Sequence, residues 1–444
     1  MHADILFRGG ICVLPGMTCQ ADIAVQENKI VALGDLSHVI APQEVDARGL
    51  HILPGLIDTQ VHFREPGGEH KETLANGMKS AAMGGITGIF EMPNTNPLTT
   101  TPQALEDKLH RASKDAWTNY AFYFGGTEEN ASHLPTYETL PGVCGVKIFM
   151  GSSTGSLLTE TDEVIEKVLS NGRRVVAAHA EDEAMMRENK KTILGDSTDV
   201  RMHPVWRSEE SCLSATQRLV KLAHKTGRRV HVLHVTTAQE INYLAQHKDI
   251  ASVEVLTNHL TLHAPDCYEK LGSHAQQNPP IREKHHQDAL WAGIENGIVD
   301  ILASDHAPHT LEEKSQTYPN SPSGTPGVQT LVPIMLNHVN NGKLTLERLV
   351  DLMAYGPQRI HGLVGKGRLA VGYDADLTIV DLKQKKTFSN DEIQSICGWT
   401  PFDGETVTGA PVMTVINGHI VMRDDELTGM KAGHAYKFYE TIHG

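Results

Sequence analysis

Ile52-Leu53-Pro54-Gly55-Leu56-Ile57 runs directly into Asp58-Thr59-Gln60-Val61-His62-Phe63-Arg64-Glu65-Pro66-Gly67, and the reading of this junction decides the fold. The first six residues have the length and apolar character of a strand buried on both faces. A strand that gives way to a polar cluster and then Pro-Gly delivers its last side chains to a sheet edge. Here these are an imidazole, a guanidinium and two carboxylates, a mixture suited to a metal ion and an anionic ligand. A single histidine beside a Pro-Gly turn is more often an ordinary surface residue, so the assignment depends on what the rest of the chain brings to the same place.

Outward from this stretch, strand-like runs recur at 85–92, 121–124, 145–150, 174–179, 230–235, 252–257 and 299–305. Helical patterns separate them, as at 162–171, 211–226 and 287–297. Eight strands alternating with helices predict a parallel (β/α)8 barrel over residues 52–366. A doubly wound open sheet competes, but it calls for a glycine-rich phosphate turn after the first strand, and Glu65-Pro66-Gly67-Gly68-Glu69 is the wrong chemistry for one. Residues 1–51 and 367–435 share a different texture, short strands between Gly, Asn and Asp turns, which predicts one β-sandwich domain formed from both chain ends.

Composition narrows the function. Apolar residues make up 40% and charged residues 21%, as in ordinary globular proteins. The net charge of −15 and the lack of a long basic run argue against nucleic acid or an anionic membrane as partner. The start lacks the sections of a signal peptide and no apolar run approaches a membrane span, so a cytoplasmic location is expected. The six cysteines contain no C-x-x-C pair and read as reduced core residues.

In a barrel the reactive side is the mouth at the C-terminal ends of the strands. His62 and Arg64 follow the first predicted strand, Asn94 the second, Lys147 lies on the fourth, His179 ends the fifth, His234 lies on the sixth, and Asp305, His306 and His309 close the eighth. Although the chain holds 25 histidines, spread through every segment, those at strand ends would converge on one point. Three histidines and an aspartate there supply the nitrogen and oxygen ligands that zinc accepts. Lys147 is the odd member. An ammonium beside dications is repelled, so a buried lysine there loses its proton or is modified, for example by carbon dioxide to a carbamate; the alternative is that it points outward or pairs with an acid.

Four stretches together resemble the amidohydrolase superfamily, and within it the cyclic amidases that include dihydroorotases, allantoinases and dihydropyrimidinases. They are Val61-His62-Phe63-Arg64-Glu65-Pro66-Gly67, Glu91-Met92-Pro93-Asn94-Thr95, Asn278-Pro279-Pro280-Ile281-Arg282 and Asp305-His306-Ala307-Pro308-His309. The resemblance covers essentially the whole chain, and the dihydroorotase version of the motifs is the one matched. It implies that His62, Lys147 as a carbamate, His179, His234 and Asp305 bind Zn2+, that Arg64, Asn94, Asn278 and His309 hold a small anionic substrate, and that Asp305 moves the proton. The implied reaction interconverts dihydroorotate and N-carbamoyl-L-aspartate in pyrimidine biosynthesis, and the implied assembly is a homodimer. The rivals are allantoinase or another cyclic amidase, and an inactive scaffold for aspartate transcarbamoylase, which would have lost several ligands. The chain departs from the family at Gln60, where the first strand normally offers the first histidine of a His-x-His pair. An amide oxygen is a weaker ligand than imidazole, so one or two metals are expected, with the outer position in doubt.

Overall fold

The structure is a computed structural model that describes residues 2–153 and 157–440. Five strands open the chain: β1 (Ile5–Leu14), β2 (Met17–Gln26), β3 (Lys29–Gly34), β4 (Gln43–Asp46) and β5 (His51–Pro54). The next eight are β6 (Leu56–Val61), β7 (Ile86–Glu91), β8 (Asn119–Gly125), β9 (Val143–Phe149), β10 (Val176–His179), β11 (Val230–Val232), β12 (Ala251–Leu256) and β13 (Ile301–Ala303). They pair in chain order, every pair parallel. The ring is closed just beyond β6 and β13, where His62 N–H donates to the His306 carbonyl at 2.7 Å. Every residue of these eight strands is buried, as a barrel filled inside and jacketed by helices requires.

The chain ends with β14 (Leu377–Thr387), β15 (Thr406–Ile416), β16 (His419–Arg423) and β17 (Glu426–Leu427). The sandwich expected from both ends is one continuous mixed sheet of nine strands, in the order β17-β16-β15-β14-β5-β1-β2-β3 with β4 beside β1. Successive residues of β1 serve its two faces. Phe7 packs with Ile23, Ile52 and Leu377, while Leu6 packs with Ala24 and Leu36.

The junction at Gly55 departs from the sequence reading. The apolar run that reads as one strand is divided between two sheets: Ile52–Pro54 lie in β5, paired with β14, and Leu56 starts the barrel. A side chain at Gly55 would come within 2.4 Å of Thr87 Oγ1 and 2.6 Å of Asp376 Cβ, so the absence of a Cβ is what lets the two sheets meet here. In consequence Asp58, Thr59 and Gln60 lie inside the first barrel strand, fully buried, and not beyond its end. Asp58 accepts from Ser304 N at 3.1 Å, and Thr59 donates to Glu254 Oε2 at 3.0 Å. These bonds tie β6 to the last two barrel strands.

The C-terminal segment returns to the opposite end of the barrel. Ala435 bridges to Tyr120 and Phe438 to Leu363, and Tyr436 and Phe438 pack against Ile57, Phe90 and Tyr123. Gly88 leaves the space that the Tyr436 ring fills, since a Cβ there would overlap its hydroxyl.

Candidate active site at the barrel mouth

The eight strands bring Gln60, His62, Arg64, Asn94, His179, His234, Asn278 and Asp305 onto one cavity at their C-terminal ends, with Phe149, Ser323 and Gly324 completing its wall. Three of these residues leave their strands with a positive φ: Arg64 at 63°, His234 at 39° and Asp305 at 50°. Such conformations cost roughly 1–3 kcal/mol each in a non-glycine residue and persist where the surroundings enforce them. Their recurrence at one mouth marks it as the strained, functional end of the barrel.

The imidazoles are arranged as ligands. Asn94 Oδ1 lies 2.8 Å from His62 Nδ1, which places the proton on that nitrogen and leaves Nε2 facing Asp305 Oδ1 at 3.2 Å. Burial holds His62 below the usual histidine range, so in the neutral ring a lone pair there meets a carboxylate oxygen. Across the mouth, His179 Nε2 is 2.8 Å from Glu181 Oε2, which turns Nδ1 toward His234 Nε2 at 3.0 Å. Burial likewise pushes His179 and His234 down, keeping both rings neutral. Burial works to raise Asp305, and His62 pulls its carboxyl down only when that ring carries a second proton.

Lys147 points inward from β9. It is buried, its Nζ makes no hydrogen bond among the described residues, and it stands 4.3 Å from the centre of the Phe149 ring. Burial lowers it to about 7. The alternative of an outward lysine, or one hydrogen-bonded to an acid, is therefore set aside. The Gln60 side-chain oxygen is also buried at the cavity wall without a partner among the described residues. Three neutral imidazoles, a carboxylate, an unpartnered amine and an unpartnered amide oxygen form a donor set that fits a dication.

Arg64 lines the other wall, and His309 lies buried behind it, outside the cavity lining. Arg64 Nε donates to the Pro308 carbonyl at 3.2 Å, and its guanidinium reaches within 3.3 Å of His309 Nε2. Lys71 Nζ lies 3.1 Å from His309 Nδ1, and Ser323 O lies 3.0 Å from Nε2, so the Nε2–H tautomer is set. Asn278 faces His203 Nε2 at 3.0 Å and Ser153 Oγ at 3.4 Å. His306, next to Asp305 in sequence, does not line the cavity; its Nδ1 accepts from Gly327 N at 3.1 Å and its ring packs edge-on against Phe63.

Sequence reasoning missed the supporting residues. Glu181 is fully buried between His179 and Arg207, whose Nε donates to Glu181 Oε1 at 3.1 Å; burial would raise it, and Arg207 holds it well below the carboxylate range. An acid two residues after a strand-end histidine was the available signal. The polar segment 311–327 is tied into the wall. Fully buried Lys314 donates to the carbonyls of Gln276 at 3.3 Å, Pro322 at 2.9 Å and Gly324 at 3.1 Å.

This barrel and mouth define a hydrolase of the amidohydrolase class. A model of the amidohydrolase family matches residues 51–421, and the chain belongs to that family. It is 35% identical to a dihydroorotase of Methanosarcina mazei over 435 residues, covering 95% of this chain and 94% of the relative. An L-hydantoinase of Paenarthrobacter aurescens is 32% identical, with 96% of this chain and 95% of the relative covered. Among solved structures, an L-hydantoinase (dihydropyrimidinase) from Arthrobacter aurescens superposes with a TM-score of 0.93 at 30% identity, over 98% of this chain and 99% of that one. The chain is accordingly an enzyme that hydrolyses cyclic amides. No helix among the described residues is long and apolar enough to cross a membrane.

Proposed function

We propose that the enzyme is a dihydroorotase, interconverting dihydroorotate and N-carbamoyl-L-aspartate. The observation that carries this reading is Arg64. Its guanidinium is buried at the cavity wall with no carboxylate within ion-pair distance among the described residues. Burial lowers it only to about 10, so it stays charged at neutral pH. A buried, planar cation without an anion suits a substrate that brings a carboxylate of its own. Hydantoin and allantoin rings bring none.

His62, Lys147, His179, His234 and Asp305 would hold Zn2+, which supplies Lewis acidity toward the ring carbonyl and lowers the pKa of water. Lys147, as a neutral amine, adds to carbon dioxide: a C–N bond forms, a proton leaves, and the resulting carbamate offers two oxygens as ligands. Arg64 and His309 bind the substrate carboxylate, and Asn94 and Asn278 offer an acceptor and a donor to the ring amide. Asp305, ionised throughout the neutral range, takes the proton from the attacking water and returns it to the ring nitrogen as the C–N bond breaks.

Arg64→Lys is expected to raise KM for dihydroorotate at least tenfold while leaving metal content unchanged, because an ammonium cannot reproduce the bidentate fork. Steady-state kinetics beside elemental analysis would check this, and unaltered KM removes Arg64 from the carboxylate site. Gln60 bears on the metal count. With an amide in place of an imidazole, the position nearer His62 and Asp305 should bind weakly, leaving about one metal per chain after mild chelation. Gln60→His should move that figure toward two. Equal retention by both proteins would mean that other ligands compensate.

A second reading, hydantoin hydrolysis, is favoured by a neighbouring cavity of about 480 Å³ that shares Ser153, Asn278 and Ser323 with the mouth and is lined by Met186 and Trp206. It has room for a ring substituent. An inactive scaffold is disfavoured because the chain keeps His62, Lys147, His179, His234 and Asp305. Assaying purified protein with dihydroorotate, allantoin and a 5-substituted hydantoin side by side tests all three, and turnover of the hydantoin alone would overturn the proposal.

A further inference from the structure

The sequence Gly-Arg-Arg-Val occurs twice, at Gly172-Arg173-Arg174-Val175 and Gly227-Arg228-Arg229-Val230. Each copy is the turn that enters one of two adjacent parallel strands, β10 and β11, at the end of the barrel away from the catalytic mouth. Gly227 closes the helix Glu209–Thr226 in the left-handed conformation, φ 70°. One arginine of each pair is buried and serves the scaffold. Arg228 donates to the Arg174 carbonyl at 2.5 Å and the Asn171 carbonyl at 2.6 Å, and pairs with fully buried Glu138. Glu138 also accepts from the backbone N–H groups of Arg173 and Arg174, at 2.5 and 3.1 Å. The two turns are thus locked side by side.

The scaffold opens on a cavity of about 420 Å³ lined by five basic side chains, Arg173, Arg174, Arg229, Lys248 and Arg359, against two acids, Asp300 and Glu440. Lys248 is satisfied by Asp300. Arg174 is engaged by the Val143 carbonyl and the Phe438 ring, whereas Arg173 meets Glu440 only at 3.8 Å, longer than a hydrogen bond, and Arg359 reaches Asp351 at 3.4 Å. Arg229 has no carboxylate partner among the described residues. In a chain of net charge −15, a concave basic site with loosely satisfied guanidinium groups calls for an anion with several oxygens. We propose that this cavity is a second binding site, separate from the mouth, for a small phosphorylated molecule held between the twin Gly-Arg-Arg turns.

The test is isothermal titration of the metal-loaded, full-length enzyme with inorganic pyrophosphate, with citrate as a carboxylate control. The expected result is saturable one-to-one binding with Kd below about 1 mM, weakened by added salt as for exposed charge pairs and unaffected by saturating the mouth with substrate. The Arg229→Ser/Arg359→Ser variant should bind at least tenfold more weakly, with kcat and KM for the cyclic amide unchanged. The proposal is overturned if pyrophosphate does not saturate, if citrate binds as tightly, if substrate competes, or if the double variant binds as the parent does.

Discussion

Lys147→Ala is expected to lose metal and turnover together while the barrel remains folded. The Nζ of Lys147 makes no hydrogen bond among the described residues, so its removal breaks none of the bonds that hold them together. What disappears is the group that, as the proposed carbamate, would supply oxygen ligands to the metal. Elemental analysis should find the variant largely metal-free, and its far-ultraviolet circular dichroism should match that of the parent. A short-chain carboxylate such as acetate or propionate can occupy the vacated volume and return part of both metal and activity. Full metal retention by the alanine variant would dismiss the carbamate, as would crystal density that ends at a bare amine in metal-loaded protein.

The second large effect is expected at Asp305. Asn is the informative substitute, because residue 305 has φ 50° and Asn tolerates the left-handed region better than other isosteric choices. Asp305→Asn keeps the shape and one oxygen but removes the proton acceptor. The expected loss in kcat is about 10²- to 10⁴-fold, the range for a general acid–base group, and more if metal is also lost. Measuring metal content beside kcat separates the two causes. Turnover equal to that of the parent would show that another group carries the proton.

Much of this site was legible in the chain because parallel strands covered on both faces must be apolar along their whole length. Val146-Lys147-Ile148 and Ala177-Ala178-His179 announce themselves as such strands, and a polar residue near the end of one has only the mouth to face. The supporting contacts were not legible. Nothing local in Asn94 says that its amide orients His62, and nothing in Lys314 says that it will be buried among three carbonyls. The first contact joins segments 32 residues apart, and the second depends on how the loop after Lys314 folds back to meet Gln276.

Local sequence determined the strand and helix alternation, the barrel it builds and the identity of the residues at its mouth, because burial pattern and strand direction are properties of short segments. Only tertiary structure decided where the apolar run 52–57 divides, since the break at Gly55 is enforced by Thr87 and Asp376 pressing on a position with no room for a Cβ. It also decided which ring nitrogens face one another across the mouth and that two distant Gly-Arg-Arg turns lie side by side. Strand pairing brings those groups within hydrogen-bonding reach, and no spacing along the chain encodes the distance.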